Sequence, residues 1–282
     1  MENKTVAFCT LGCKVNQYET NAMIQEFMKN GYTIVEFDEK ADVYIVNTCT
    51  VTNMADRKSR QMLRRVKELN PEAILVAVGC YAQVAKEELE KIPEIDLILG
   101  TNEKKNIFGL VDEMLNERNQ YMIDEKNSKD ENDFLNKKNN QEANSSAKKY
   151  KGTNKKIDVT DVLHCEEYVD FGEVTFTEKT RAVIKVQDGC DRFCSYCIIP
   201  FARGHIRSRN PENVVSEITK IAGQGIKEVV ITGIHLASYG RDFKDKDFKL
   251  IDLLEEINKI DGIKRIRLRL TWTNSYNKRF CR

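Results

Sequence analysis

"GCDRFCSYCIIP", Gly189–Pro200, carries Cys190, Cys194 and Cys197 in the spacing C-x3-C-x2-C, with no fourth cysteine nearby. A structural zinc takes four ligands, commonly with cysteines in C-x2-C pairs. An iron–sulfur cube held by only three thiolates keeps one iron open to a small molecule. The stretch follows "RAVIKVQDG", which has the β-branched character of a strand. Beyond it, "PENVVSEITKIAGQG" reads as a helix with Pro211 near its start and glycine at its end. "KEVVITGI" reads as a strand, "KLIDLLEEINKI" as an amphipathic helix and "IKRIRLRL" as a third strand. This βαβαβ succession is the unit of an open or closed α/β barrel, with the cysteine loop after its first strand.

Upstream, the first hundred or so residues also alternate. "TVAF", "YTIVEF", "DVYIVN", "AILVAVG" and "IDLILG" read as strands. "NQYETNAMIQEFMKNG" reads as a helix with Met23 and Phe27 on one face, and "ADRKSRQMLRRVKELNP" as a basic helix stopped by Pro71. "QVAKEELEKI" and "EKKNIFGLVDEMLNE" are further helices, the latter with Ile107, Phe108, Val111 and Leu115 on one stripe. Strands alternating with helices predict a mostly parallel sheet covered on both faces. Between about Arg118 and Asp158 the chain is Asn, Lys, Asp, Glu and Ser with little to bury, the composition of a flexible linker. The expected organisation is α/β: a parallel-sheet domain over 1–118, a polar linker over 119–158 and a partial (βα) barrel over 159–282.

Nine cysteines, 41% hydrophobic residues and a formal charge of +1 bound the function. No apolar run reaches the roughly 18 residues of a membrane helix, and "MENKTVAFCT" lacks the basic flank and apolar core of a secretory signal. A cytoplasmic location follows as the expectation. Thiols stay reduced there, so clustered cysteines point to metal binding or catalysis rather than disulfides. A nearly neutral chain leaves any nucleic-acid contact to local basic patches.

Cys13, Cys49 and Cys80 each follow a predicted strand, in "VAFCTLGC", "VYIVNTC" and "ILVAVGC". Parallel strands deliver their C-terminal ends to one sheet edge, where ligands collect. Gly12 and Gly79 let the backbone approach closely there. A second three-thiolate site is therefore expected. The alternative, cysteines packed as small hydrophobes, remains open for any one of them. Cys9, Cys165 and Cys281 receive no role.

"TLGCKVNQYET", "NTCTVTNMADRKSR" and "VGCYAQ" resemble the N-terminal domain of the methylthiotransferases, and "GCDRFCSYCIIPFARGHIRSR" resembles their radical S-adenosylmethionine (SAM) loop. "GCKVNQYE" is similar to the branch acting on N6-threonylcarbamoyladenosine in tRNA. The resemblance implies two [4Fe-4S] clusters, one on Cys190, Cys194 and Cys197 binding SAM and one on Cys13, Cys49 and Cys80 holding the sulfur to be inserted. It implies transfer of a methylthio group to C2 of the modified adenine at position 37, beside the tRNA anticodon. An electron-donor protein and a sulfur source are the implied partners. Tyr196 is expected near the SAM adenine, and Gly233 in "ITGIHLASYG" is expected to let backbone approach the methionine end of SAM. His235 in the same stretch is a candidate proton carrier, though a histidine satisfied within its loop is the commoner case.

Single-stranded loops present splayed bases, so phosphate contacts are expected on either side of the site. The candidates are Arg203, Arg207 and Arg209 in "RGHIRSR", for which a grip on the SAM carboxylate is the other reading, and Arg57, Arg60 and Arg64 on the basic helix after Cys49. A solvated charged face is an equal reading of that helix. Two other functions stay open: methylthiolation of a ribosomal protein, and a non-catalytic remnant or metal-binding module. Family members continue past this length through further barrel strands and a small RNA-binding domain. "RLTWTNSYNKRFCR" lacks their pattern and reads like a frame change or early stop. A half barrel is expected to load iron poorly and turn over little.

Overall fold

The computed structural model describes residues 4–135, 155–177, 180–245 and 247–269, with backbone alone over 122–135. In the first body the elements run β1 (Thr5–Thr10), α1 (Lys14–Lys29), β2 (Thr33–Val35), β3 (Val43–Thr48), α2 (Asn53–Leu69), β4 (Ile74–Gly79), α3 (Cys80–Val84), α4 (Lys86–Glu90), β5 (Leu97–Leu99), α5 (Ile107–Leu135) and β6 (Lys156–Asp158). The six strands form one sheet in the order β2-β1-β3-β4-β5-β6, every pair parallel.

Every residue of β3 and β4 is buried, as expected for central strands covered on both faces. Alternate side chains serve the two faces. Ala7, Tyr44, Val46, Leu75 and Ala77 pack with Leu63 and Val66 of α2. Val6, Val43, Ile45, Val76 and Val78 pack with Met23 and Phe27 of α1 and Ile107, Val111 and Met114 of α5. The α2 helix starts where the Thr52 hydroxyl accepts from the Ala55 N–H at 3.1 Å, and it turns Ser59, Leu63 and Val66 inward.

The linker reading needs correction at both ends. Helix α5 continues to Leu135, well past residue 118. Glu, Lys and Gln are good helix formers, so a segment with little to bury can still extend a helix whose first turns are packed. At the other end, Lys156–Asp158 is the sixth strand, paired in register Leu97↔Lys156 and Leu99↔Asp158. It is an edge strand, and edges tolerate the lysines and half-exposed positions that hid it in the composition. Lys155 Nζ donates to the Glu90 carbonyl at 2.7 Å and the Ile92 carbonyl at 2.6 Å. Lys156 pairs with Glu113 and Glu117 of α5, both at 3.2 Å. Residues 136–154 of the expected linker, and the terminal stretch from Leu270, including Cys281, lie outside the described residues.

The second body contains β7 (Ala182–Lys185), β8 (Gln187–Asp188), α6 (Ile199–Arg203), β9 (Arg207–Ser208), α7 (Pro211–Gly223), β10 (Glu228–Thr232), α8 (Leu250–Asn258) and β11 (Arg265–Arg269). The strands β11-β10-β7 form a parallel sheet, and β8 pairs antiparallel with β9. The three strands expected for a partial barrel are these. Val214, Ile218 and Ile221 of α7 and Leu250, Leu253 and Ile257 of α8 cover Ala182, Ile184, Val229 and Ile231. Helix α7 begins with Pro211 in its first turn, where the Asn210 side chain accepts from the Glu212 N–H at 3.0 Å.

Helix α1 joins the two bodies. The Gln25 Oε1 accepts from the N–H groups of Thr175 and Phe176, and its Nε2 donates to the Glu173 carbonyl. Tyr18 Oη donates to Glu217 of α7 at 3.1 Å. Among the described residues, no helix is long and apolar enough to cross a membrane.

Candidate metal centre

Parallel register brings the first cysteine set together. Thr10 stands beside Asn47, and Asn47 beside Val78, so β1, β3 and β4 end level with one another. Cys13 then caps α1, Cys49 directly follows β3, and Cys80 opens α3. Cys49 and Cys80 are buried. The approach depends on two glycines in the left-handed region. A Cβ on Gly12 (φ +94°) would lie 2.5 Å from Cys49 Sγ, and one on Gly79 (φ +102°) would lie 2.6 Å from Asn47 Oδ1.

The residues that hold these turns were not singled out by motif. Asn16 Nδ2 donates to the Leu11 carbonyl at 2.8 Å and the Thr48 carbonyl at 3.0 Å. Thr48 Oγ1 donates to the Val78 carbonyl at 2.6 Å. Ser59 of α2 accepts from the Cys49 N–H at 3.4 Å and donates to its carbonyl at 3.3 Å. Burial pushes the Cys49 and Cys80 thiols up. Arg203 and Lys104 pull Cys80 back, while neighbouring Cys13 adds to the rise at both thiols.

The second set lies on the loop between β8 and α6. Its base is fixed: the Cys190 N–H donates to the Gly204 carbonyl at 2.9 Å. Gln187 Nε2 donates to the Gly189 carbonyl at 2.7 Å, and its Oε1 accepts from the His235 N–H at 2.7 Å. The tip is open. Cys194 is exposed, and the residue before it, Phe193, is the one non-glycine residue with positive φ (+42°) among those described. The Cys197 N–H closes a turn onto the Cys194 carbonyl at 2.9 Å. Tyr196 is 83% exposed, and the half-exposed Phe193 and Phe201 meet edge to face. Gly233 leaves room that Gln187 fills, since a Cβ there would lie 2.9 Å from Gln187 Cβ. His235 is 4% exposed, with Nδ1 2.6 Å from Ser238 Oγ and Nε2 without a partner among the described residues. Burial, then Arg192 and Arg241, push its pKa down, so the ring is neutral at pH 7.

Each set offers three thiols, the donor type that an iron–sulfur cube takes. No three His, Cys, Asp or Glu side chains among the described residues are gathered tightly enough for a single metal ion. A cube places a different iron behind each sulfur, so its thiolates stand further apart than the ligands of one ion. Three converging strand ends with glycine clearance, and a three-cysteine loop with an open tip, supply that donor set.

The arginines of "RGHIRSR" are corrected. Arg203, Arg207 and Arg209 are 0%, 1% and 1% exposed and reach no solvent-borne phosphate. Arg203 bonds Glu19, Asp188 and Asn16, and its Nε lies 3.3 Å from Cys80 Sγ. Arg207 donates to the Arg203 carbonyl, Asn102 and the Glu167 carbonyl. Arg209 pairs with Glu217 at 2.8 Å and Asp170 at 3.1 Å. Sequence pattern shows a basic run but not that acidic partners wait in α1 and α7. On α2, Arg57 and Arg64 are exposed, whereas Arg60 donates to Tyr81 Oη at 2.6 Å and lies 3.5 Å from Glu88. Helix α6, which follows Cys197 closely, packs on α3, which opens with Cys80.

Comparison with known proteins matches residues 5–100 to the family described as "Uncharacterized protein family UPF0004" and residues 184–275 to the radical SAM superfamily. The threonylcarbamoyladenosine tRNA methylthiotransferase MtaB of Bacillus subtilis is 40% identical over 94% of this chain and 51% of its own length. The ribosomal protein uS12 methylthiotransferase RimO of Desulfitobacterium hafniense is 34% identical over 94% of this chain and 52% of its own length. The chain thus spans about half the length of the curated relatives it matches. A radical SAM methyltransferase structure, TsrM from Kitasatospora setae with cobalamin and a [4Fe-4S] cluster bound, shares the fold. It has a TM-score of 0.50 and 15% identity over 90% of this chain and 50% of that one. Over its first hundred residues the chain is thus similar to the UPF0004 family, over residues 184–275 to the radical SAM superfamily, and along most of its length to curated methylthiotransferases.

Proposed function

We propose that this chain carries the two cluster sites of a radical SAM tRNA methylthiotransferase, which adds a methylthio group to C2 of N6-threonylcarbamoyladenosine at position 37. The observation that carries the reading is the pair of three-cysteine sets, one at three level parallel strand ends and one on the loop before α6, each one ligand short of a closed site. Cys190, Cys194 and Cys197 would hold the cube that binds SAM; Cys13, Cys49 and Cys80 would hold the second. When bound, these groups and SAM supply the radical, the sulfur and the methyl group.

The chain's own residues position and enclose. Gln187 ties the cysteine loop to the end of β10, fixing Cys190 relative to that edge. Tyr196, exposed at the loop tip, is free to cover a bound adenine. Gly233 and the unpartnered Nε2 of His235 stand at the end of β10, where the methionine end of SAM would lie. Arg57 and Arg64, with Lys58, form the exposed basic face for the anticodon stem-loop, beside the exposed Val51 and Met54. An electron-donor protein would reach the open loop tip, and a sulfur source would serve the second cube.

Nucleoside mass spectrometry on tRNA from cells lacking the encoding gene tests this. The expected result is N6-threonylcarbamoyladenosine without its methylthio group, restored by the gene. An unchanged tRNA profile, with the methylthio mass missing from a ribosomal protein instead, overturns it.

A further inference from the structure

Five charged side chains meet in the interior beside Cys80. Glu19 and Asp188 are the acids; Lys104, Lys185 and Arg203 are the bases, and all are buried. Lys104 and Arg203 pair with Glu19, Lys185 with Glu19 at 2.8 Å and Asp188 at 2.5 Å, and Arg203 with Asp188 at 3.2 Å. Three cations against two anions leave one positive charge over. Arg207 adds another: it is 1% exposed, bonds the Arg203 carbonyl at 2.7 Å, has no carboxylate partner among the described residues, and leaves its Nε without a partner. Buried charge without a counter-charge is costly. The uncompensated side of Arg203 faces one group, the sulfur of Cys80, 3.3 Å from Nε. A negative group bound at Cys80 would balance that surplus.

The loop set has nothing comparable. Among the described residues, no side-chain donor reaches the sulfur of Cys190, Cys194 or Cys197. Hydrogen bonds to ligand sulfurs and nearby positive charge favour the reduced form of a cluster, which is more negative. We propose that Arg203 is a positioning residue for the second cluster: its Nε–H bond to the Cys80 sulfur, with the surplus charge behind it, makes that cluster easier to reduce than the one on the loop. Arg203 ends α6, so one side chain also fixes the distance between the cluster loop and the strand-end site. This inference rests on the reading of Cys13, Cys49 and Cys80 as cluster ligands.

The test uses the full chain with Cys190, Cys194 and Cys197 all changed to Ala, reconstituted without oxygen and titrated redox-wise by electron paramagnetic resonance. Arg203→Lys keeps the network's charge, but one ammonium cannot serve Glu19, Asp188 and Cys80 together. It is expected to lower the reduction equilibrium about tenfold, roughly 59 mV for one electron. Glu19→Gln keeps the bond and adds one positive charge, and is expected to shift the potential upward. General loosening of the fold would not move the two variants in opposite directions. Potentials that stay put, or move together, overturn the inference, and if Arg203→Lys does not fold, an unmoved or lowered Glu19→Gln potential does so alone. A parent protein that folds but holds no cluster overturns the ligand reading and this inference with it. A cluster with unmoved potentials overturns this inference only.

Discussion

The two cysteine sets use the same number of thiols and opposite supports. Cys13, Cys49 and Cys80 come from three parallel strand ends, two of them buried, with glycine clearance and a charged interior behind them. Cys190, Cys194 and Cys197 come from a single loop whose base is hydrogen-bonded and whose tip, with Tyr196 and Phe193, faces solvent. A site assembled by long-range register forms only when the sheet forms. A site on one short loop keeps its spacing locally and gains access for a substrate. The difference matches the proposed division of labour, one cube holding its sulfur in shelter and one exchanging SAM.

The sharpest break between the sets is chemical. Cys194→Ala is expected to abolish reductive SAM cleavage by the reconstituted protein, a loss of a hundredfold or more, while the strand-end set still binds iron. Iron per chain and deoxyadenosine release measure the two halves. Retained cleavage would show that the loop does not hold the SAM-binding cube. Gly12→Ala should do the reverse. Its Cβ would strike Cys49 Sγ, and its φ of +94° strains any L side chain. Loss of strand-end iron and destabilisation by more than about 1 kcal/mol are expected, with loop iron unchanged. A milder contrast comes from controlled oxygen exposure: the loop cluster should bleach severalfold faster than the buried one. Following the spectra of the Cys13→Ala and Cys194→Ala proteins separates them.

Much of this was readable in the sequence, and the reason is periodicity. Continuous apolar runs such as "VYIVNT" and "ILVAVG" read as strands covered on both faces, and cysteines placed after parallel strands come to one edge. The loop set stood out in the sequence because its three cysteines are close together along the chain. What escaped is what depends on a distant partner. Arg203, Arg207 and Arg209 read as a phosphate-binding run, yet Glu19, Asp188, Asp170 and Glu217 take two of them inside, and backbone carbonyls and Asn102 take the third. The edge strand Lys156–Asp158 escaped because backbone pairing with β5, not apolar content, makes it a strand.

The interior network also sets the acid behaviour. Burial alone would lift Asp188, but Lys185, Arg203 and Arg207 override it and hold the carboxyl at about 2. Arg203, Lys104 and Lys185 likewise outweigh burial and hold Glu19 well below its usual range. Groups depressed in the folded state stabilise it above their unfolded values, about 4, and that contribution disappears as pH falls through the folded ones. Thermal unfolding of the apo chain should therefore be insensitive to these two groups between pH 7 and pH 5 and should weaken below about pH 4. The Asp188 share is roughly 2–3 kcal/mol, and Asp188→Asn should flatten that part of the acid limb. An acid limb identical in Asp188→Asn would remove the network from the account of stability.

The smallest effect separates the arginines that face inward from those that face out. Arg57 and Arg64 of α2 are exposed and have no ion-pair partner among the described residues, so changing both to Ala removes charge without opening a buried pair. Stability should stay within about 0.5 kcal/mol. If α2 is the phosphate face, tRNA affinity falls uniformly across sequences. The slope of log K against log salt then becomes shallower by about 0.7–0.9 for each phosphate that is no longer neutralised. Arg60→Ala is the internal control: its guanidinium is engaged with Tyr81 and Glu88, so its removal should register more in stability than in the salt slope. A salt slope unchanged in the Arg57/Arg64 double variant would mean that α2 is a solvated charged face, leaving the RNA-binding surface to be sought elsewhere on the molecule.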